Sequence, residues 1–441
     1  MEGSQSIVKK FWLFALPSML GQLLNSLFII VDGFFVGQNL GDAGLAAINV
    51  AWPMVALIQA VSMAIGIGGA VQLSIDVGRG DLKSALKARI HAVVMLVGAG
   101  VILGGGFFLT YAYILPLLGA NEELYPLAAA YIRVVSMCAI CQAFTTGIMP
   151  LLRGAGRTLA AMSLTILGLV GNIVLDWAFI QYLDWGMEGV ALATAMSQGT
   201  CGFLGLILLM TKRDWRGEGD VFRFDPVQMV RIFRFGVSAF GLTISTSILI
   251  LLTNLQALRY GDTQGVAVYA VLSYVLGSVI PLVSGVGDGI QPLLGNAYGA
   301  GDLPTIVRLR RMGLCLAVGT ALVCSLGCWI GRQFLPQIFG ASQSAAVQVA
   351  GAMWTLVLAI PFMAAVRFSC SYFCALGQPR ESSLLAYGEP LVAQPLFLFL
   401  LPLFWGLDGV WMSYPAAMLG LTILALVLLR FHRKKLRALV G

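Results

Sequence analysis

The carboxylate of Asp32 interrupts the apolar stretch from Phe14 to Gly44, whose other acid, Asp42, lies at its very end. A charge near the centre of a membrane helix is costly, so an acid in such a place normally faces a cavity or a partner and marks a transport path. A later apolar stretch carries Asn172 and Asp176. Four residues apart on a helix, their side chains share one face at about 6 Å from each other. Two alternatives stay open: Asp32 reaches hydrated surface, or Asn172 and Asp176 only hold helices together.

Depth in the membrane connects these residues with Thr194 in the next apolar stretch. Asp32, Asp176 and Thr194 each lie near the same face, roughly 6 to 11 Å below the rim at about 1.5 Å of rise per residue. Two carboxylates, an amide oxygen and a hydroxyl at one level form an oxygen cage suited to H⁺ or Na⁺. Two carboxylates close together in a low dielectric cannot both stay ionised cheaply, so a proton and a cation would compete for them.

The composition is that of an integral membrane protein. Of the 441 residues, 59% are apolar and 11% are charged, and the mean hydropathy is +0.89. Twelve apolar stretches are each long enough to cross a hydrocarbon core of about 30 Å as a helix. They lie at about 9–36, 44–77, 86–114, 126–152, 157–183, 187–211, 228–259, 266–297, 306–335, 346–376, 382–403 and 407–430. The sequence therefore predicts an all-α membrane protein with twelve transmembrane helices.

The basic residues predict the orientation of these helices. Placing alternate loops on one side gathers most of the 27 Lys and Arg residues there, and Arg133 and Arg367 fall within apolar stretches. Basic residues near span ends are retained in the cytoplasm, so both termini are expected to be cytoplasmic, in a multi-pass protein of the cell (inner) membrane. The net charge of +7 follows from this bias. It does not indicate a nucleic-acid partner.

The chain repeats itself after about 220 residues. Four motifs recur in order, each at a predicted loop or span end: LGDAGLAAINV (40–50) with YGDTQGVAVYA (260–270), GRGDL (78–82) with GAGDL (299–303), LRGAGRT (152–158) with CALGQPR (374–380), and WGMEGV (185–190) with WGLDGV (405–410). A duplication of six spans predicts two six-helix lobes related by a pseudo-twofold axis along the membrane normal, the geometry of alternating access. The predicted boundaries are an N-terminal lobe at 1–211, a cytoplasmic linker at 212–226 and a C-terminal lobe at 227–441.

A set of motifs in a fixed order resembles the multidrug and toxic compound extrusion (MATE) family along essentially the whole chain. The motifs are VDGFFVG, GRGDL, LRGAGRT, GNIVLDWAFI, the WG-x-[DE]-GV turn and PLLGNAYGAGD. The resemblance implies a cation-coupled antiporter that exports amphipathic, often cationic aromatic compounds. It also implies that Asp32, Asn172, Asp176 and Thr194 bind the coupling H⁺ or Na⁺, and that the first helix bends at Pro17 with protonation state. From the residues alone, Pro17 is equally a passive kink.

The second half of the chain does not repeat the acidic site. The positions 220 residues after the four site residues are Leu252, Val392, Leu396 and Tyr414, so coupling is expected in the N-terminal lobe alone. The C-terminal lobe has its own intramembrane charges, Asp288, Arg367 and Glu389, at one predicted depth. Buried charges persist when they are paired, so these three predict a charge network. A role in substrate contact and a structural role stay open.

Other functional classes fit the sequence less well. A lipid-linked precursor flippase of the same superfamily usually has fourteen spans and a strongly cationic cavity. A major facilitator transporter would carry a more characteristic loop than SIDVGRGDLK at 74–83. The sequence contains no P-loop and no catalytic or metal-ligand cluster, so we expect no enzyme activity, no cofactor and no metal beyond Na⁺ at the four site residues. The predicted protein is a monomer whose partners are small organic substrates and the lipid bilayer, and its many aromatic and methionine residues could line an apolar cleft.

Overall fold

The computed structural model describes residues 2–211, 223–338 and 343–438, and regular structure within these ranges is helical. Eleven of the described helices are long and apolar enough to cross a bilayer, and a pair bent by 61° makes a twelfth span. The spans, numbered 1 to 12, are Ile7–Gly41, Ala43–Gly78, Leu82–Leu117, the bent pair Leu124–Met137 and Ala139–Gly154, Thr158–Tyr182, Gly186–Met210, Pro226–Asp262, Gln264–Gly299, Leu303–Gln333, Ala346–Ala375, Pro379–Leu400 and Pro402–His432. Each predicted span is found, which confirms the fold class. Of the predicted linker, residues 212–222 lie outside the described residues.

The repeated motifs adopt matching turns in the two halves. Each contains a residue with a positive φ, at equivalent places to within one residue: Gly41 and Asp262, Gly80 and Gly301, Gly156 and Gly377, and Gly186 and Gly406. In the second pair of turns the following aspartate caps the next helix, because Asp81 accepts a hydrogen bond from the Ser84 N–H at 2.9 Å and Asp302 accepts one from the Thr305 N–H at 3.0 Å. The bond from Ser84 lowers the pKa of Asp81. The sequence duplication is therefore also a duplication of backbone geometry.

The hydrophobic core is divided between the two halves of the chain. Two clusters of buried side chains are built mainly from residues between Val36 and Leu209. A larger cluster extends from Ala257 to Leu429. Because each half buries its own apolar surface, each six-span set is a packed unit, and the two sets are the N-terminal and C-terminal lobes below.

Span 1 belongs to both lobes. Its first part carries Ala15 and Met19, which are buried in the core of the C-terminal lobe, whereas Val36 near its other end is buried in the N-terminal lobe. The contact with span 8 is close, since a Cβ on Gly289 would lie 2.9 Å from the Cα of Ala15. The helix is continuous through Pro17, which lies in the part that bridges the lobes.

The lobes meet through glycines near the side of the membrane at which span 1 begins and span 12 ends, which we call the terminal side. A Cβ on Gly236 would lie 2.8 Å from the Cα of Ala64, and a Cβ on Gly78 would lie 2.8 Å from the Cα of Asn296. Small residues allow helix backbones to approach this closely. We call this contact the glycine seam; its members are Gly68, Gly78, Gly236 and Gly299, on spans 2, 7 and 8.

Candidate functional site

A cavity of about 250 Å³ lies in the N-terminal lobe, with Thr243 of span 7 contributing from the other lobe. Its lining includes three aromatic side chains and three methionines among many polar residues: Phe28, Trp52, Tyr131, Met63, Met149 and Met162. Aromatic faces attract organic cations, and methionine adapts its shape to irregular ligands. Within the described ranges, the charged residues of the wall are Asp32 and Arg153.

Asp32 is placed on the cavity wall by span 1 and is hydrogen-bonded from span 6. The Thr194 hydroxyl donates to Asp32 Oδ1 at 3.2 Å. Both residues also line the cavity. The carboxylate is therefore accessible to a compound in the cavity while being held by a neighbouring helix.

Asn172 and Asp176 lie behind Asp32, on span 5. Both are fully buried, and their side-chain nitrogen and oxygen atoms make no hydrogen bond of normal length within the described residues, although the Asn172 amide faces both carboxylates. Asn172 lies beside Asp32, and Asp176 is close enough for the two carboxylates to interact electrostatically. Asp176 ends the α-helix, and a π-helical turn, Trp177–Tyr182, begins directly after it. Such turns are frequent at functional sites.

The four site residues predicted from the sequence are therefore neighbours. They provide two carboxylates, an amide oxygen and a hydroxyl, and buried polar atoms that lack partners are costly unless something binds them. Oxygen donors of this kind suit a proton or a hard cation such as Na⁺. We refer to Asp32, Asn172, Asp176 and Thr194 as the acidic cage.

The opposite end of the cavity has a different charge pattern. Gln22 and Arg153 line the cavity there, and both approach Asp288 of span 8. The Gln22 amide donates to Asp288 Oδ2 at 2.7 Å, and Arg153 Nη2 lies 4.0 Å from the same oxygen. Asp288 thus joins span 1 and span 4 to the C-terminal lobe.

This placement corrects the predicted network of Asp288, Arg367 and Glu389. Arg367 and Glu389 form a buried ion pair, with Arg367 Nη2 at 3.2 Å from Glu389 Oε2, but Asp288 pairs across the lobes instead. The three residues have similar depths. Their helices, however, present the side chains in different directions, and depth alone does not determine direction.

The Arg367–Glu389 pair lines a second cavity, of about 170 Å³, inside the C-terminal lobe. Glu389 begins another π-helical turn, Glu389–Ala393, in span 11. Span 11 is the repeat partner of span 5, which carries the first π turn. The duplicated helices thus keep the same backbone irregularity but carry different charges.

Breaking this ion pair is expected to destabilise the protein strongly. Arg367→Met would leave the Glu389 carboxylate buried without its counter-ion, at a cost of about 3 to 5 kcal/mol, whereas Arg367→Met/Glu389→Met removes both charges and should restore most of the loss. Thermal unfolding in detergent, followed by the monodisperse fraction on size-exclusion chromatography, measures both. A single variant as stable as the wild type would contradict the pairing.

Three polar residues of the first cavity were not identified from the sequence. Tyr131 is buried and close to both Asp32 and Asp176, and Gln22 and Arg153 contact Asp288. A lone tyrosine or glutamine in an apolar span has no periodic or charge signal. In the sequence, Arg153 at the end of span 4 resembles the other basic residues that flank the spans.

Comparison with known proteins identifies the family. The family model described as MatE matches residues 17–178 and 239–386, more than half of the chain. The multidrug export protein MepA of Staphylococcus saprophyticus is 25% identical over 412 residues, covering 92% of this chain and 89% of the relative, and that of Staphylococcus haemolyticus is 23% identical over 444 residues, covering 98% and 95%.

Solved structures show the same fold. A MATE crystal structure in the straight conformation has a TM-score of 0.92 at 24% identity and covers 98% of this chain and 97% of its own. An outward-facing multidrug resistance MATE transporter has a TM-score of 0.91 at 24% identity, covering 98% and 96%. These matches confirm the predicted resemblance and the prediction of a transporter rather than an enzyme. The chain belongs to the MATE family of multi-pass membrane transporters.

Proposed function

We propose that this protein is an antiporter that exports amphipathic, often cationic organic compounds in exchange for H⁺ or Na⁺ bound in the acidic cage. The observation that carries this proposal is that Asn172 and Asp176 are fully buried and make no hydrogen bond of normal length within the described residues, directly behind a carboxylate on the wall of a cavity of about 250 Å³. Buried acids within membrane spans normally serve ion or proton paths. The relatives named as multidrug export proteins support the substrate class.

Asp32 is the residue through which substrate and cation exclude each other. It lines the cavity and also belongs to the cage. While ionised, Asp32 attracts a cationic compound to the aromatic and methionine-rich wall. When the cage takes up a proton or Na⁺, the negative charge at Asp32 is neutralised and this attraction is lost, so the compound leaves. Loss of the cation restores the charge for the next cycle.

Alternating access would proceed by separation of the lobes at the glycine seam. Backbone contacts in the seam lie near the terminal side, and each lobe has its own core. The lobes can therefore move as units, while span 1 connects them through Pro17.

We place both termini in the cytoplasm and propose that a monomer is sufficient. Drug export is preferred over flipping of lipid-linked precursors because the described residues form twelve spans and the cavity wall carries one acid and one base rather than a strongly cationic surface.

The proposal is tested with purified protein in liposomes loaded with ethidium. We expect ethidium transport when a proton gradient or a sodium gradient is imposed, and the effective gradient identifies the coupling ion. Gly21 lines the cavity, and a Cβ there would meet nothing within 4 Å. Gly105 on span 3 has the same open space but does not line the cavity. Gly21→Phe should therefore block transport, and Gly105→Phe should not. Absence of transport under both gradients, or full activity of Gly21→Phe, would contradict the proposal.

A further inference from the structure

The second cavity borders the same helix, span 7, as the first. Thr243 lines the cavity of the N-terminal lobe, and Thr246 and Ile250 line the cavity of the C-terminal lobe. Residues three and seven positions apart lie on one face of a helix, so a single face of span 7 borders both cavities. Thr246 and Ile250 are exposed, together with Gly277 of span 8, and they form the entrance.

The second cavity is electrically balanced. Arg367 and Glu389 are its only charged lining residues among those the structure describes, and they pair at 3.2 Å. A cation would be repelled by the guanidinium about as strongly as it is attracted by the carboxylate, and the opposite holds for an anion. Entry of either ion would also cost desolvation with no net charge to offset it. The cavity therefore favours an uncharged compound.

Its floor carries polar atoms that lack hydrogen-bond partners within the described parts of the chain. They are Arg367 Nε, Glu389 Oε1, Gln394 Oε1, Ser273 Oγ and the Tyr414 hydroxyl, on side chains that line this cavity. Arg367, Glu389 and Gln394 are at most 6% exposed. Buried polar groups in native proteins are satisfied by a partner. Arg367 Nε is a donor, and the Glu389 and Gln394 oxygens are acceptors. The set therefore fits a ligand that has a hydrogen-bond acceptor next to a donor.

The remaining wall is mainly aromatic and aliphatic, with Thr246, Thr253 and Thr355 among its lining residues. Trp411 and Tyr269 border the space above the polar floor, and Tyr414 lies beside the ion pair and Tyr269. Aromatic side chains stack against planar rings. Such walls around a compact space suit a flat ring system rather than a flexible chain.

We propose that the second cavity is a binding site for an uncharged, planar aromatic compound that carries adjacent N–H and C=O groups, such as a lactam or cyclic imide. The N–H donates to Glu389, the C=O accepts from Arg367, and the ring lies against Trp411 and Tyr269. The C-terminal lobe thereby recognises a ligand class that the acidic cavity of the N-terminal lobe does not favour. This inference is independent of the coupling proposed above, because binding is measured without a gradient.

The test uses lumichrome, a neutral, fluorescent, planar imide, titrated with wild-type protein in lipid nanodiscs by fluorescence anisotropy. A Cβ on Gly277 meets nothing within 4 Å, and the same holds for Gly319, which is exposed on span 9 away from both cavities. Gly277→Phe therefore fills the entrance without a clash, and Gly319→Phe is its matched control. We expect Gly277→Phe to weaken lumichrome binding by about tenfold or more, with Gly319→Phe unchanged.

A ligand pair tests the hydrogen bonds without any substitution in the protein. Lumichrome methylated on both ring N–H groups keeps its shape but cannot donate to Glu389. It should bind the wild type about tenfold more weakly, because a charged acceptor is left without its donor. Three results would each overturn the proposal: no saturable binding of lumichrome, equal affinity for the methylated compound, or equal affinity of Gly277→Phe and wild type.

Discussion

Asp176→Asn is expected to abolish cation-driven export while leaving ethidium binding within about twofold of the wild type. Asp176 is fully buried in the acidic cage and is not part of the cavity wall. An asparagine cannot take up and release a proton, and it lacks the charge that attracts Na⁺, so the coupling free energy, commonly about 1 to 3 kcal/mol, is lost. The substrate surface is unchanged.

Asp32→Asn is expected to lose both properties, because Asp32 belongs to the cavity wall as well as to the cage. Transport in liposomes and equilibrium binding of ethidium, measured on the same preparations, separate the two variants. Glu188→Gln, which neutralises an exposed acid at the start of span 6, is the control and should behave as the wild type. Export that survives in Asp176→Asn would remove the cage from the coupling mechanism.

Gly236→Val should also stop transport, for a mechanical reason. A Cβ at this position would meet the backbone of Ala64, which cannot move away as a flexible side chain can. Overpacking a close helix contact forces the backbones apart. The glycine seam would then fail to close on the terminal side, and we expect the transport rate to fall by about tenfold or more, since each 1.4 kcal/mol is a factor of about ten.

Cys374 provides a native reporter of seam closure. It is 5% exposed, packs with Val71 and Ile75 between the lobes, and has its sulfur 3.4 Å from the carbonyl oxygen of Phe235. Gly236→Val should raise the rate at which N-ethylmaleimide labels Cys374, read by peptide mass spectrometry, whereas Gly319→Val on the open face of span 9 should not. Slow labelling together with wild-type transport in Gly236→Val would show that the seam does not need close packing.

The twelve spans and the duplication were predictable because their signals are local or periodic. A run of apolar residues long enough to cross the bilayer is nearly sufficient for a membrane helix. The turns at GRGDL and GAGDL repeat because both need a glycine with positive φ followed by a capping aspartate, and Gly80 with Asp81 and Gly301 with Asp302 provide both. The shared position of span 1 was not predictable, since both lobes offer it an apolar surface.

The sequence predicted the depth of the site residues better than their partners, for a related reason. Depth along a helix follows from residue number; in the structure Asp32 lies beside Thr194 and near Asp176, and Arg367 lies beside Glu389. The direction of a side chain around the helix axis depends on which helices pack against it. Depth alone therefore grouped Asp288 with the wrong partners. Tyr131 carries no signal until its neighbours are known.

The glycine seam has a consequence for how this protein can diverge in evolution. Its contacts are between backbones, so they depend on the absence of side chains rather than on particular ones. The walls of the two cavities are made of different residues from the seam. Mutations that broaden or narrow the range of exported compounds can therefore accumulate without disturbing closure. Selection for a new compound and selection for a tight barrier act on separate sets of positions.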